Sequence, residues 1–382
     1  MALKVARRGM VPPFIVMDVM EAAAAREAAG EHVLHLEVGQ PDTGAPGGVI
    51  AAAKKALDQD RIGYTVALGI PELRFRIARH YADRHDQVVD PNHIMITTGS
   101  SCGFLLAFLS AFDVGDRVAL ASPGYPAYRN ILQALGIEVV DLITDPDTNF
   151  QPTPSLIDRC GEQIDGLIIA SPSNPAGTMI NNDDLKALCD YCKTKGIRLI
   201  SDEIYHGISY ETKPETVLAY TKEAIVINSF SKYYSMTGWR LGWMVVPGDL
   251  IRSVECLAQN FFISPPTLSQ HAAITAFDCE DELEGNVRRY AANRALLLEE
   301  LPKAGFDRLA SADGAFYIYA DVSALTNDSP EFCRRMLEET GVAVTPGTDF
   351  DPSRGHYFVR FSFAGSTKNM AEAAARLKVW LR

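Results

Sequence analysis

A short polar segment around Lys232 carries residue types that could perform nucleophilic or acid–base chemistry. Ser229 and Ser231 come just before the lysine, and Arg240 follows it. A lysine must lose its proton to act as a nucleophile or base, and burial beside a second cation such as Arg240 lowers its pKa. The two hydroxyls and the guanidinium could also bind a phosphate. The segment indicates a reactive amine beside a phosphate site, although a lone loop lysine is more often a solvated charge.

A second candidate phosphate contact lies between a β-type run and a helical segment. The residues there are Gly99, Ser100, Ser101, Cys102 and Gly103. A helix N-terminus offers unpaired N–H groups and the positive end of the helix dipole, both of which favour an anion. The alternative is a simple helix cap. A nucleotide-binding module is not favoured, because the run lacks the glycine-rich fingerprint of such modules.

Four more residues could surround a flat heteroaromatic ring. Asp202 follows an apolar strand and could keep a ring nitrogen protonated, while Tyr205 and Asn174 could bond a ring oxygen. Tyr125 could stack on the ring face. Taken singly, each has a simpler explanation as a surface charge, a turn residue before proline or a packing aromatic.

The elements that must position these residues are apolar runs typical of buried strands. The runs span residues 93–97, 117–121, 138–142, 166–170, 198–201, 224–228 and 241–246. Helical segments such as 101–112 and 183–195 separate several of them, which is the pattern of a mostly parallel sheet buried on both faces. In such sheets a ligand lies outside the carboxyl ends of the strands, and the polar clusters fall there.

Both ends of the chain differ from this alternating pattern. Residues 14–29 have helical composition and end at Gly30, and the C-terminal third predicts a charged helix over 281–303, a strand over 315–321 and a helix over 331–340. We therefore predict an α/β fold with a large domain, built on a mostly parallel seven-stranded sheet flanked by helices, and a smaller α+β domain formed by the N-terminal arm and the C-terminal third. The predicted boundaries are 1–40 for the arm that packs with the small domain, 41–275 for the large domain and 276–382 for the small C-terminal domain.

Composition excludes several classes of partner and site. The net charge of −12 argues against nucleic acid and anionic membranes, both of which require a basic face. The seven cysteines predict free thiols, and the pair Cys189 and Cys192 has no neighbouring ligand set for a metal. No apolar run is long enough to span a membrane, and no convincing signal peptide is present, so we expect a cytoplasmic protein.

The order of these motifs resembles that of the class I and II aminotransferases, the pyridoxal-phosphate enzymes of fold type I. Asn174, Asp202 with Tyr205, Lys232 and Arg240 follow one another at approximately the family's spacing. The resemblance covers nearly the whole chain, and its most specific part is the stretch from Lys232 through Met236, Thr237, Gly238, Trp239 and Arg240 to Gly242. Towards the two ends it rests on Gly39, Gln40, Pro41 and Asp42, on Tyr64 with Gly69, Pro71, Glu72, Leu73 and Arg74, and on Gly347, Phe350, Arg360 and Ser362.

The resemblance implies an enzyme that moves an amino group between an L-amino acid and a 2-oxo acid, with pyridoxal 5′-phosphate held as a Schiff base on Lys232 in the large domain. It implies that Lys232, Asp202 and Tyr205 are catalytic, and that Gly39, Asn174 and Arg360 bind the substrate. It also implies a homodimer, because Tyr64 would reach the phosphate of the partner subunit, and no metal. The implied cofactor-binding residues are Ser100, Ser101, Cys102, Tyr125, Asn174, Asp202, Tyr205, Ser229, Ser231, Lys232 and Arg240, with Tyr64 from the partner subunit.

Two alternatives and two departures accompany this interpretation. A β-eliminating lyase of the C–S lyase type, or a decarboxylase, could use the same scaffold, because the bond that breaks depends on geometry. A cofactor-sensing regulator would need an added DNA-binding domain, for which the segment before Gly39 is too short. Thr43 and Gly44 stand where relatives often carry an aromatic residue, and Asp351 stands where glycine is common, so we expect the substrate pocket to differ there.

Overall fold

The computed structural model describes residues 3–60 and 62–382, and strands and helices alternate from β2 to β6. The strands are β1 (Leu34–His35), β2 (Ile94–Thr97), β3 (Arg117–Ser122), β4 (Glu138–Ile143), β5 (Gly166–Ala170), β6 (Arg198–Asp202), β7 (Ile225–Ser229), β8 (Gly242–Val245), β9 (Arg308–Leu309), β10 (Tyr317–Asp321), β11 (Val342–Ala343), β12 (Thr345–Pro346) and β13 (Phe358–Ser362). The helices are α1 (Ile15–Ala28), α2 (Gly47–Asp58), α3 (Pro71–His85), α4 (Gly99–Ala111), α5 (Pro126–Leu135), α6 (Pro154–Cys160), α7 (Asn182–Lys195), α8 (Ile251–Phe261), α9 (Thr267–Ala276), α10 (Glu280–Lys303), α11 (Ser329–Thr340) and α12 (Thr367–Trp380).

A seven-stranded sheet forms the centre of the large α/β region, in the order β2-β8-β7-β6-β5-β3-β4. Strand β8 runs antiparallel to both of its neighbours, and the other pairings are parallel. The α/β fold with a mostly parallel seven-stranded sheet, predicted from the apolar runs, is confirmed.

Helices cover both faces of this sheet, which explains why its strands are apolar without alternation. In β5, Leu167 and Ile169 pack into the core on one face, and Ile168 packs with Ile200 of β6 on the other. Side chains of successive strand residues point to opposite faces, so a strand buried on both sides must be apolar throughout.

Helix α7 shows how local sequence signals set the elements between the strands. The Asn181 side chain accepts a hydrogen bond from the backbone of Asp184 at the N-terminus, and Gly196 ends the helix with a positive φ of 70°. Cys189 and Cys192 lie on its buried face, and burial raises the pKa of each thiol to about 12. The C-x-x-C pair is therefore part of the core, and all seven cysteines are free.

The C-terminal third forms a four-stranded antiparallel sheet in the order β12-β13-β10-β9, with α10, α11 and α12 beside it. The N-terminal segment joins this part of the chain, because β1 pairs parallel with β11 and the Ser362 N–H donates to Leu36 O at 2.7 Å. The domain boundaries at residues 40 and 275 remain predictions. Among the helices of the described residues, none is both long and apolar enough to cross a lipid bilayer.

Candidate active site

A cavity of about 570 Å³ lies at the carboxyl ends of β5, β6 and β7, where the sequence predicted the polar clusters to meet. The N-terminus of α4 opens into it, and α1 forms part of its wall. The predicted site residues that line it are Gly39, Ser100, Ser101, Tyr125, Asn174, Asp202, Tyr205, Ser231, Lys232, Arg240 and Arg360. Its volume lies within the range of small-molecule sites, so these residues share a space that could hold a ligand.

Lys232 lies in the loop after β7 and points into the cavity. Its Nζ donates a hydrogen bond to Gly39 O at 2.6 Å. Burial lowers the pKa of the amine to about 8, with further lowering by Arg360 and Arg240, while Asp202 opposes the shift. About a tenth of this amine is therefore unprotonated at pH 7, far more than for an exposed lysine, and is available as a nucleophile or base.

Asp202 is buried at the carboxyl end of β6. Its Oδ2 accepts a hydrogen bond from the Tyr128 hydroxyl, and its Oδ1 accepts the Ile204 N–H at 3.1 Å. Burial raises the pKa of the Asp202 carboxyl to about 6, and the two donors and Lys232 counteract the rise. The anion is thus poised to pair with a cationic group inside the cavity.

Arg360 on β13 is held by oxygen acceptors on one side of the cavity. Its Nη2 donates to Glu37 O and to Thr345 Oγ1, and its Nη1 donates to Asn174 Oδ1 at 2.9 Å. The guanidinium lies over the Tyr317 ring, 4.5 Å from its centroid. A planar cation fixed in this way suits a carboxylate ligand.

Tyr205 also lies close to Tyr317. The two hydroxyls share a hydrogen bond of 2.7 Å, and burial, together with Tyr317, raises the pKa of Tyr205 well above its ordinary value. Tyr205 therefore stays protonated and can donate a hydrogen bond to an oxygen in the cavity.

Arg240 lies against the N-terminus of α4, where this helix opens into the cavity. Gly99 begins this helix with a φ of +74°, and a Cβ built there would lie 2.5 Å from Arg240 Nη2. Glycine is therefore needed both for the backbone and for the approach of the guanidinium. Ser100, Ser101 and Ser231 line the same end, which combines a cation, hydroxyls and helix N–H groups suitable for a phosphate.

Residues 31–377 match the family model described as "Aminotransferase class I and II". The chain belongs to this aminotransferase family. It is 54% identical to the valine–pyruvate aminotransferase of Mycobacterium tuberculosis over 99% of this chain and 98% of that protein. It is 35% identical to the (5-formylfuran-3-yl)methyl phosphate transaminase of Methanocaldococcus jannaschii over 96% of each chain. The crystal structure of an aminotransferase from Mycobacterium tuberculosis superimposes with a TM-score of 0.98, at 53% identity, over 100% of this chain and 99% of that one.

The enzyme class predicted from the motifs is thus confirmed, and these relatives do not favour the lyase or decarboxylase alternative. Members of this aminotransferase family generally depend on pyridoxal phosphate. The residues that line the cavity are suited to that cofactor: a buried carboxylate, a lysine with a lowered pKa, and a cationic end made open by Gly99.

Three predicted cofactor contacts of the aminotransferase lie outside the cavity lining. Cys102 is buried on α4 and faces a different, small cavity. Ser229 is buried beneath the site, where its hydroxyl donates to Leu241 O at 3.1 Å and accepts the Ser231 N–H at 3.0 Å, so it orders the Lys232 loop. Tyr64 is 84% exposed on the surface.

The two departures from the family pattern also lie outside this lining, and the expectation that the substrate pocket differs there stays a prediction. Asp351 is buried and accepts two hydrogen bonds from the Arg354 guanidinium, which also donates to Ser122 O and Thr144 O. It therefore joins the C-terminal region to the ends of β3 and β4. Thr43 hydrogen bonds to Ser235 at 3.1 Å, and together with Gly44 it lines an open cavity that adjoins the site, because Gln40 and Thr237 line both.

Several residues of the aminotransferase site were missed by the sequence reasoning. Tyr128 follows Tyr125 by one helical turn on α5, a spacing that could have indicated a second tyrosine on the same side. Tyr317 gave no such signal, because it shares its strand with a second tyrosine, Tyr319. The apolar wall of the cavity was also missed, and it consists of Phe14, Val16, Met17, Met20 and Val38.

Proposed function

We propose that this aminotransferase holds pyridoxal 5′-phosphate as a Schiff base on Lys232 and moves an amino group between an apolar L-amino acid and a 2-oxo acid. The observation that carries the proposal is the position of the Lys232 amine, in one cavity with the Asp202 carboxylate and the Arg360 guanidinium. Amine, acid and carboxylate-binding cation are the groups that such a transfer requires.

The residues of this chain have distinct tasks in the proposed reaction. When bound, pyridoxal phosphate supplies a ring that withdraws electrons from the substrate carbon. Arg360 binds the substrate carboxylate, and Asn174 fixes the orientation of the Arg360 guanidinium by accepting a hydrogen bond from its Nη1. The Asp202 anion would pair with a protonated ring nitrogen of the cofactor, and the Tyr205 hydroxyl would donate a hydrogen bond to a ring oxygen. The Lys232 Nζ, with its pKa lowered to about 8, would take up the α-proton of the substrate as a general base.

The wall formed by α1 supports an apolar amino donor. Val16, Met17 and Met20 present apolar side chains to the cavity. Among the described residues that line it, the cations are Lys232, Arg240 and Arg360, and each has a proposed task. A second carboxylate on the substrate would therefore lie against apolar side chains at a cost in desolvation. The name of the Mycobacterium tuberculosis relative, which pairs valine with pyruvate, agrees with this donor class.

Reduction with borohydride tests the covalent link. The purified protein should be yellow, and borohydride should abolish the visible band and fix the cofactor to a peptide containing Lys232. Lys232→Ala should retain bound cofactor and lose turnover, whereas Lys195→Ala, on the exposed end of α7, should behave as wild type. A protein that stays colourless with added pyridoxal phosphate, or a label on another lysine, would contradict the proposal.

Product analysis separates the transfer from elimination. With an apolar amino acid and pyruvate, the enzyme should form alanine and the matching 2-oxo acid in equal amounts. Ammonia released in step with the amino acid consumed would instead indicate a lyase, and carbon dioxide would indicate a decarboxylase.

We further propose a homodimer in which Tyr64 serves the site of the partner subunit. Its exposed ring, outside the cavity of its own subunit, supports this. Mixing Lys232→Ala protein with Tyr64→Phe protein under subunit exchange tests the proposal, because one site of a mixed dimer would then combine an intact Lys232 with an intact Tyr64. Activity should rise above the sum of the separate variants; no rise after confirmed exchange would place Tyr64 outside the partner's site.

A further inference from the structure

Glu203 and His206 form a buried pair directly behind the site, and the proposed reaction does not use them. Their side chains are 2% and 4% exposed. Glu203 follows Asp202, and its Oε1 accepts hydrogen bonds from three donors: the hydroxyls of Ser201 and Thr216 and the N–H of Val217. Its other oxygen, Oε2, has no hydrogen-bond partner among the described residues.

The hydrogen bonds of His206 determine where its proton lies. Its Nε2 lies 3.1 Å from the backbone oxygen of Ser171, which can only accept, so Nε2 carries a hydrogen. A neutral imidazole then leaves Nδ1 as a bare acceptor. Nδ1 lies 3.6 Å from Glu203 Oε2, and neither atom has a hydrogen-bond partner among the described residues. Two buried acceptors that face each other without a proton would both lose their hydrogen bonds with water.

We propose that Glu203 is a neutral carboxylic acid whose Oε2 proton is donated to Nδ1 of His206. The pair carries a single proton between its two facing atoms, and the 3.6 Å gap closes to hydrogen-bond length when that proton is present. Two hydrogen bonds of the His206 imidazole then join the Glu203 carboxyl group to the backbone oxygen of Ser171.

The charges around the pair favour this state. The titratable groups closest to it are Asp202 on β6, His80, Tyr81 and His85 on α3, and Cys189 on α7. The His206 ring also lines a cavity whose wall carries two cations and two carboxylates, Arg84, Lys213, Glu280 and Glu284. Burial lowers the pKa of His80 to about 3 and that of His85 to about 4, so neither supplies a positive charge at neutral pH. Burial likewise raises the pKa of Glu203 to about 8 and lowers that of His206 well below its usual range.

The pair acts on the site through position and charge. It links the turn that carries Asp202 and Tyr205 to the loop from Ser171 that carries Asn174. A neutral Glu203 also avoids a second anion next to Asp202, where it would raise the pKa of that carboxyl. Glu203 and His206 are therefore positioning residues for the reaction, an assignment that rests on the proposed function.

Infrared difference spectroscopy on the holoenzyme tests the proton directly. Glu203→Gln keeps an acceptor for the three donors and an N–H for His206, so it should fold normally and lack the carbonyl stretch of a protonated carboxylic acid. The wild type should show that band at pH 6, and the band should fade as the pH rises through about 8. Glu223→Gln, a change at an exposed carboxylate, should leave the band in place. A wild-type spectrum without a band assignable to Glu203 would overturn the proposal.

Turnover distinguishes a positioning role from a purely structural one. Glu203→Gln should keep kcat within about threefold of wild type, since the neutral donor is preserved, whereas Glu203→Leu should lower kcat about tenfold or more. If Glu203→Leu does not fold, the infrared band of wild type and the kcat of Glu203→Gln still test whether Glu203 is a neutral acid. A loss of turnover in Glu203→Gln as large as in Glu203→Leu would show that the negative charge is required and would overturn the proposal. Borohydride labelling of Lys232 tests the proposed function independently of either result.

Discussion

The charge state of Asp202, at the end of strand β6, depends on a tyrosine from helix α5. The Tyr128 hydroxyl on α5 donates to Asp202 Oδ2 and thereby favours the ionised carboxylate in a buried site. Without this donor, burial alone would favour the neutral acid. A neutral acid at this position could not pair with a cationic ring nitrogen.

Tyr128→Phe should therefore raise the pKa of Asp202 above its value of about 6 and weaken catalysis at neutral pH. We expect kcat to fall about tenfold, since a hydrogen bond to a buried charge is removed. The acidic limb of the profile of kcat/KM against pH should move to higher pH. Tyr191→Phe is the matched control, because Tyr191 makes the same kind of bond to Asp158 at the surface. An acidic limb unchanged in Tyr128→Phe would show that the hydroxyl does not tune Asp202.

For single residues, the sequence could predict contacts between residues that are close together in the chain. It could not predict contacts between residues that are far apart in the chain. Lys232 and Arg240 stand close together after one strand, so their shared environment could be predicted from that segment. Tyr317 meets Tyr205 from a strand more than a hundred residues away. Such a contact depends on how the C-terminal sheet packs against the large one, so it cannot be predicted from a local sequence pattern.

Helix α1, which forms part of the apolar cavity wall, is held at its N-terminus by Asp349, and Asp349 lies near Arg360. Its first N–H groups, those of Ile15 and Val16, donate to the Asp349 carboxylate at 3.0 and 3.4 Å. Burial raises the pKa of Asp349, and these donors and the nearby Arg360 counteract the rise. Asp349 thus caps a helix from outside its own sequence neighbourhood, a role that helix-capping patterns could not predict.

Asp349→Ala should loosen the N-terminal end of α1 and impair binding of apolar donors. The loss of such a cap costs about 1 kcal/mol, so we expect KM for the amino donor to rise about fivefold while kcat changes less. Steady-state kinetics with valine and alanine would measure the effect, which should be larger for the bulkier side chain. Asp18→Ala removes an exposed carboxylate from the same helix and should leave KM unchanged. Equal effects of the two changes would mean that helix charge matters and the cap does not.

Element positions were predicted more accurately than their pairing. The predicted helix at 281–303 corresponds to α10 (Glu280–Lys303), because its periodic burial and acidic first turn are local features. The strand predicted over 315–321 begins later, at Tyr317, since Ala315 has a positive φ of 56° that an extended strand does not allow. The two-residue pairing of β1 with β11 joins distant parts of the chain and left no periodic signal.

At the scale of the whole molecule, the buried acid at Glu203 links global stability to pH. In the unfolded chain this side chain ionises above pH 4.5, whereas in the folded protein burial keeps the proton up to a pH of about 8. Between these values the unfolded state binds fewer protons than the folded state, so the free energy of unfolding decreases as the pH rises. The decrease amounts to about 1.4 kcal/mol per pH unit and ends above the folded-state pKa.

Glu203→Gln removes the titrating carboxyl group. The free energy of unfolding of the variant should therefore lack the decrease with rising pH that Glu203 causes in wild type. Measured by denaturant at fixed protein and cofactor concentrations, the stability of the variant relative to wild type should increase steadily from pH 4.5 to about 8 and then stay constant. Comparing the two proteins at each pH cancels the contributions of groups that titrate alike in both. The Glu223→Gln control should run parallel to wild type over the same range. Parallel profiles for Glu203→Gln as well would mean that Glu203 ionises in the folded protein as it does in the unfolded chain, and that the His206 contact holds no proton.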